Sequence, residues 1–146
     1  MFTKKIKSIN FMTGQEVERT YYFNLTKAEL AEMELSMEGG FKEYVQRIVD
    51  AQKTPEIAEV FKKLILKSYG ERSDDGMRFI KKDPVRGYLA DEFEQTDAYS
   101  ELFMELATDE KAATEFINGI LPASIQEEVA KQQAQGNAYP PQIAKK

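Results

Sequence analysis

Histidine and cysteine are absent from this sequence, so carboxylates, lysines, hydroxyls and phenols are the side chains left to do chemistry. Ordinary zinc sites draw mainly on Cys and His. Cys-based and Ser-His-Asp nucleophilic catalysis need the same residues. Those classes of site are therefore closed to this chain. The phosphate-cradling patterns G-x-x-x-x-G-K-[ST] and G-x-G-x-x-G do not occur either. The 25 Asp and Glu residues could supply an acid–base pair. They fall mainly on the polar faces of expected helices, beside lysines, which is the pattern of a solvated face. Ser73-Asp74-Asp75-Gly76 faintly resembles a calcium loop, but it lacks the alternating ligands and distal Glu of an EF-hand. A polar turn is the better reading. The sequence thus reads as a binding or assembly factor and not an enzyme, with no cofactor and no metal.

Three groups of residues are candidates for contact with a protein partner. Period-two alternation sends Tyr22 to the opposite face from Tyr21 and Phe23. Tyr22 then either marks an interface or covers a neighbouring helix. Lys4, Lys5 and Lys7 sit together on the first expected strand. Lysines on an edge strand discourage unwanted pairing; the other reading is attraction to an acidic partner. Tyr139, Pro140 and Pro141 lie in a polyproline-prone tail that would lose little entropy on docking. The simpler reading of that tail is a frayed end. Tyr99, Phe103, Phe116 and Phe93 each lie on the apolar stripe of their own helix and read as core.

Composition bounds the rest. A chain of 146 residues with 42% hydrophobic residues supports one domain with a real core. The formal net charge is −5 and the lysines are scattered, so nucleic acid is not an expected partner. The N-terminal MFTKKIKSINF is too polar for a signal peptide. No apolar run approaches the ~18 residues of a membrane span. The expected location is a cytoplasm, the protein's own or that of a host.

The expected architecture is α+β and predominantly α: an N-terminal β-hairpin packed on a bundle of about six short helices. The hairpin covers 3–25, with Thr13-Gly14-Gln15 as its turn and with Ile6, Ile9 and Phe11 on its first strand. Thr26-Lys27-Ala28-Glu29 fits a capping box and opens a helix to about Met37, ended by Gly39-Gly40. A second helix is expected over Phe41–Gln52. Thr54-Pro55-Glu56 opens a third, which Gly70 terminates. Residues 70–82 break the periodicity and read as an exposed loop, with a short extended piece at Met77–Ile80. Asp83-Pro84, Thr96-Asp97 and Thr108-Asp109-Glu110 open three more helices. Residues 1–122 form the compact domain on this reading. Residues 123–146 form a polar helix and a flexible tail. Self-association is open through the hairpin edge.

Three stretches carry a wider likeness: FNLTKAELAEMELSMEGGFKEYVQRIV, ILKSYGERSDDGMRFIK and EFEQTDAYSELFMELATDEKAATEFINGILP. Together they resemble a group of small proteins encoded in the structural gene clusters of tailed phages and prophages, the tail assembly chaperones and virion-associated proteins. The resemblance spans residues 23–122 and contains no catalytic motif. It implies a non-catalytic job in tail morphogenesis, with the tape measure protein or a tail tube protein as partner. It implies the host cytoplasm as location, or the virion if the protein is a retained structural component.

Overall fold

The computed structural model describes residues 1–36 and 56–122. Strand β1 (Phe2–Ile9) and strand β2 (Glu16–Phe23) pair antiparallel in unbroken register, from Phe2 opposite Phe23 to Ile9 opposite Glu16. Helix α1 (Lys27–Ser36) begins at the expected capping box. The Glu29 N–H donates to Thr26 Oγ1 at 3.1 Å, and the Thr26 N–H donates to Glu29 Oε1 at 2.8 Å. Two orphan donors of the first turn are thus satisfied reciprocally. Helix α2 (Glu56–Ser68) follows. The Ser68 hydroxyl donates to the carbonyls of Leu64 and Ile65 at its last turn, at 2.6 and 3.2 Å. The helix expected over Phe41–Gln52 and the Thr54-Pro55 cap lie outside the described residues, as does everything expected of residues 123–146.

The hairpin is not alone. Strand β3 (Tyr69–Arg72) leaves α2 without a loop and pairs with β2, and strand β4 (Phe79–Ile80) pairs with β3. The result is a four-stranded antiparallel sheet in the order β1-β2-β3-β4. This corrects the reading of 70–82 as an exposed loop at Tyr69–Arg72, while the short extended piece expected at Met77–Ile80 contains strand β4. It also corrects the role of Gly70. A Cβ there would stand 2.6 Å from Phe79 Cε2 and 2.7 Å from the Ile80 carbonyl oxygen. Gly70 therefore permits close strand approach and does not cap the helix.

Asp83-Pro84 does not open a helix either. Strands β5 (Lys82–Asp83) and β6 (Gly87–Tyr88) form a small second ladder. Between them Asp83 Oδ1 accepts from the N–H groups of Val85 and Arg86, both at 2.8 Å. The Asp side chain mimics a turn there, and it wins over its helix-capping role. Helix α3 (Leu89–Glu94) has Tyr88 as its N-cap, five residues after the expected cap at Asp83. Helix α4 (Asp97–Thr108) starts where Thr96 Oγ1 accepts from the Tyr99 N–H at 3.2 Å. Helix α5 (Glu110–Ile120) is capped by Asp109, whose Oδ1 accepts from Lys111 and Ala112. The described residues thus hold five helices and a sheet, a mixed α+β fold, where a hairpin on about six helices was expected.

The helices cover one face of the sheet. The core centres on Phe23, with Tyr69 and Phe93 both at 5.7 Å and Phe116 at 5.5 Å between ring centroids. Tyr69 and Phe93 stack at 4.2 Å with planes 7° apart. Leu25, Phe61, Ile65, Leu89, Leu102 and Ile120 are among the other residues buried with them. Burial of Phe93 and Phe116 agrees with their reading as core, and Tyr99 and Phe103 pack partly buried against it.

Candidate partner-binding surface

Alternation along β1 divides the three lysines. Phe2, Lys4 and Ile6 point toward the helices, and Ile6 is buried. Thr3, Lys5, Lys7 and Ile9 point to the opposite, open face of the sheet and are exposed. Lys4 pairs with Glu105 of α4, Nζ to Oε1 at 2.9 Å. The charges of Lys5 and Lys7 face solvent instead. Across the ladder they stand opposite Thr20 and Glu18.

Among the described residues strand β1 is an edge of the sheet. The Asn10 N–H donates to the Gln15 carbonyl, so even-numbered residues of β1 direct their backbone groups to β2. Odd-numbered residues direct theirs outward. At one end the outward Ile9 N–H is taken by Asp97 Oδ2 of α4, at 2.8 Å.

The hairpin tip is a closed, hydrogen-bonded turn. Asn10 Oδ1 accepts from the N–H groups of Met12 and Thr13, and the Asn10 carbonyl accepts from Gly14 at 2.7 Å. Gly14 lies at φ +72°, the left-handed conformation that glycine adopts without penalty. This turn holds Phe11 and Met12 out in water, 72% and 93% exposed. Phe11 belongs to the tip, not to the strand as the sequence reading had it. Neither residue was singled out from the sequence. The available signal was two large apolar residues bracketed by Asn10 and Gly14, a turn frame in which no core face exists. Met77 and Val85 stand similarly exposed on the turns after β3 and β5.

Tyr22 lies on the open face, away from Tyr21 and Phe23, as the alternation requires. The Arg72 guanidinium sits 4.2 Å from its ring centroid and donates to its hydroxyl at 2.8 Å. A neighbouring strand of the same chain therefore covers this ring in part, by a cation–π contact. Tyr139, Pro140 and Pro141 lie outside the described residues.

Several acidic side chains hold turns or pair with cations. Asp75 Oδ1 accepts from the Ser73 hydroxyl at 2.7 Å and from the Met77 N–H at 2.9 Å, and those bonds pull its carboxyl below the usual range. Ser73-Asp74-Asp75-Gly76 is accordingly a self-satisfied turn. Arg86 bridges Glu71 and Glu92, and hydrogen bonds to both raise its affinity for its proton. Among the described residues no group of three or more His, Cys, Asp or Glu is placed to hold a metal ion. Among the same residues no helix is long and apolar enough to cross a membrane.

What the surface offers is contact: an edge strand, a basic strip and apolar side chains fixed on turns. Neither a curated protein nor a solved structure matches the chain. A family model described as phage tail assembly chaperone matches residues 1–145. Since that match runs through hairpin, sheet and helices alike, the chain belongs to the phage tail assembly chaperone family.

Proposed function

We propose that this protein binds the tape measure protein during tail morphogenesis and acts by holding it, without catalysis. The observation that carries the reading is the family match over residues 1–145. Tail assembly requires a long, helical, aggregation-prone client to stay soluble until tube subunits enclose it. A holding protein for such a client needs apolar contacts that do not collapse into its own core. Phe11, Met12, Met77 and Val85, each exposed on a short turn, are of that kind. The work takes place in the host cytoplasm on this reading. Tyr139, Pro140 and Pro141 are an additional contact segment on this reading.

Co-expression with the long helical protein encoded by the neighbouring gene, followed by pull-down, tests the proposal. A stable complex is expected, with the client remaining soluble. Two proteins that are each soluble and do not associate would defeat it.

The long β1 edge favours a second reading, a structural virion component whose sheet continues into its neighbour. Mass spectrometry of purified particles separates the two. A chaperone is absent or substoichiometric there, and a structural subunit appears at fixed stoichiometry.

A further inference from the structure

We infer that the outer edge of β1 is a docking site for an extended, acidic segment of a protein partner, which adds to the sheet as a fifth strand beside Thr3, Lys5 and Lys7. The inference deepens the client-binding reading and rests on it for the source of the segment. Two observations carry it.

The edge is long and regular. Strand β1 holds eight residues in unbroken register, with neither proline nor bulge. Sheet edges that must stay unpaired are ordinarily shortened, bulged or covered. Among the described residues this one is closed at a single point, where Asp97 takes the Ile9 N–H. Thr3, Lys5 and Lys7 share the outward direction of Ile9, and among the described residues no partner takes their N–H groups. An incoming strand would find alternate donors and acceptors at strand spacing.

The charges select the occupant. Strand β1 carries three lysines and no acid, on a chain of net charge −5. Lys4 is matched by Glu105 on the helix side. Lys5 and Lys7 are exposed on the open side. Residues of an added strand that share the open side lie directly beside them, so Asp or Glu is favoured at those alternate positions. The helix side has the opposite requirement. Asp97, Glu101 and Glu105 follow one another at four-residue spacing on α4, and the first and last of them touch β1. Uncharged or basic residues suit the alternate positions there. A second copy of β1 is a poor occupant. Antiparallel pairing about Lys5 would set that lysine against its equivalent and Lys7 close by, and like charges directly opposite are destabilising.

The test uses the full chain and two synthetic peptides, one alternating Glu with Thr and one alternating Lys with Thr. Amide NMR at millimolar peptide reads the edge directly. The acidic peptide is expected to shift the Thr3, Lys5 and Lys7 amides and slow their exchange, leaving Lys4 and Ile6 unaffected. It should bind about tenfold more tightly than the basic one. Lys5→Pro removes one outward donor and leaves the β2 ladder intact, so it should abolish the response. Lys5→Glu with Lys7→Glu should reverse the peptide preference, and it decides the matter if the proline variant fails to fold. Equal response to both peptides, responses confined to other amides, or edge protection that depends on the chain's own concentration would overturn the inference. The peptides probe the edge without the client, and the pull-down reads client capture by whatever surface holds it. Failure of one is therefore distinguishable from failure of the other.

Discussion

The Lys81 ammonium stands 2.6 Å from Glu29 Oε2, across 52 residues of sequence. It also donates to the carbonyls of Asn24 and Lys67, each at 2.8 Å. One side chain from the link between β4 and β5 thus joins the exit of β2, the capping box of α1 and the last turn of α2. A cation suits that last turn, where helix carbonyls lack partners. Glu29 does double duty, since its other carboxylate oxygen closes the capping box. Burial pushes the Glu29 carboxyl up, but the bonds from Lys81 and Thr26 outweigh it, and the net shift is downward. Burial pushes the Lys81 ammonium down, and Glu29 restores only part of the loss.

Replacing Lys81 by Met should therefore destabilise the fold by roughly 2–3 kcal/mol, since it strands one carboxylate and two carbonyls. The pair retains 22% and 23% side-chain exposure, which keeps the cost below that of a fully buried ion. Glu29→Gln should cost less, because Gln still closes the capping box. Urea unfolding of both variants and of the double variant gives the coupling. Additive effects would show that the two residues act separately.

Stability should fall steeply between pH 10 and 12. Burial pushes the Tyr69 phenol up to about 12 from its ordinary 10, with Glu71 adding to the effect. In that window the unfolded chain releases the proton and the folded chain keeps it, so alkali favours unfolding. Lys81 works in the opposite direction just below pH 10.5, where its lowered affinity lets the folded chain release a proton first. Tyr69→Phe should flatten the alkaline loss, read by urea midpoints across that range. An unchanged profile would show that the phenol is not the group responsible. At the acid end, the Glu29 contribution is complete above pH 4.5 and fades as the pH falls through its lowered value.

Gly70→Ala should cost roughly 1–3 kcal/mol, because the new methyl meets the Ile80 carbonyl oxygen as well as the Phe79 ring. A ring could turn aside, whereas a strand carbonyl cannot move without breaking the ladder. The expected signature is a lowered urea midpoint with increased exchange at β3 and β4 amides. Preserved stability would mean that those two strands separate freely.

The legible parts of this fold were the local ones. The period of two in β2, the reciprocal caps at Thr26 and Glu29, and the cap at Thr96 are written in neighbouring residues. The same period separates Lys4 from Lys5 and Lys7. Strand β3 escaped notice because Tyr69–Arg72 is too short to display an alternation, and it follows directly on a helical stripe. Gly70 was read as a terminator because a helix end and a tight strand crossing call for the same residue. The Lys81 node depends on contacts 14 to 57 residues apart, which no local pattern encodes. Phe11 escaped because an apolar residue after a strand resembles one more strand position.

The hairpin tip gives the sharpest separation of folding from binding. Phe11 and Met12 are 72% and 93% exposed, and the turn that holds them is closed by Asn10 and Gly14. Replacing both by Ser removes apolar surface that contributes little to the core, so the stability read by urea unfolding should change by no more than about 0.5 kcal/mol. If the tip grips the client, capture in the pull-down should fall about tenfold, the loss expected when a central apolar anchor is truncated. Asn10→Ala makes the complementary change, loosening the turn while keeping both apolar side chains, and should weaken capture less. Full capture by the double Ser variant, with its fold intact, would move the client contact away from the hairpin tip. The turns bearing Met77 and Val85 would then be the next surfaces to alter.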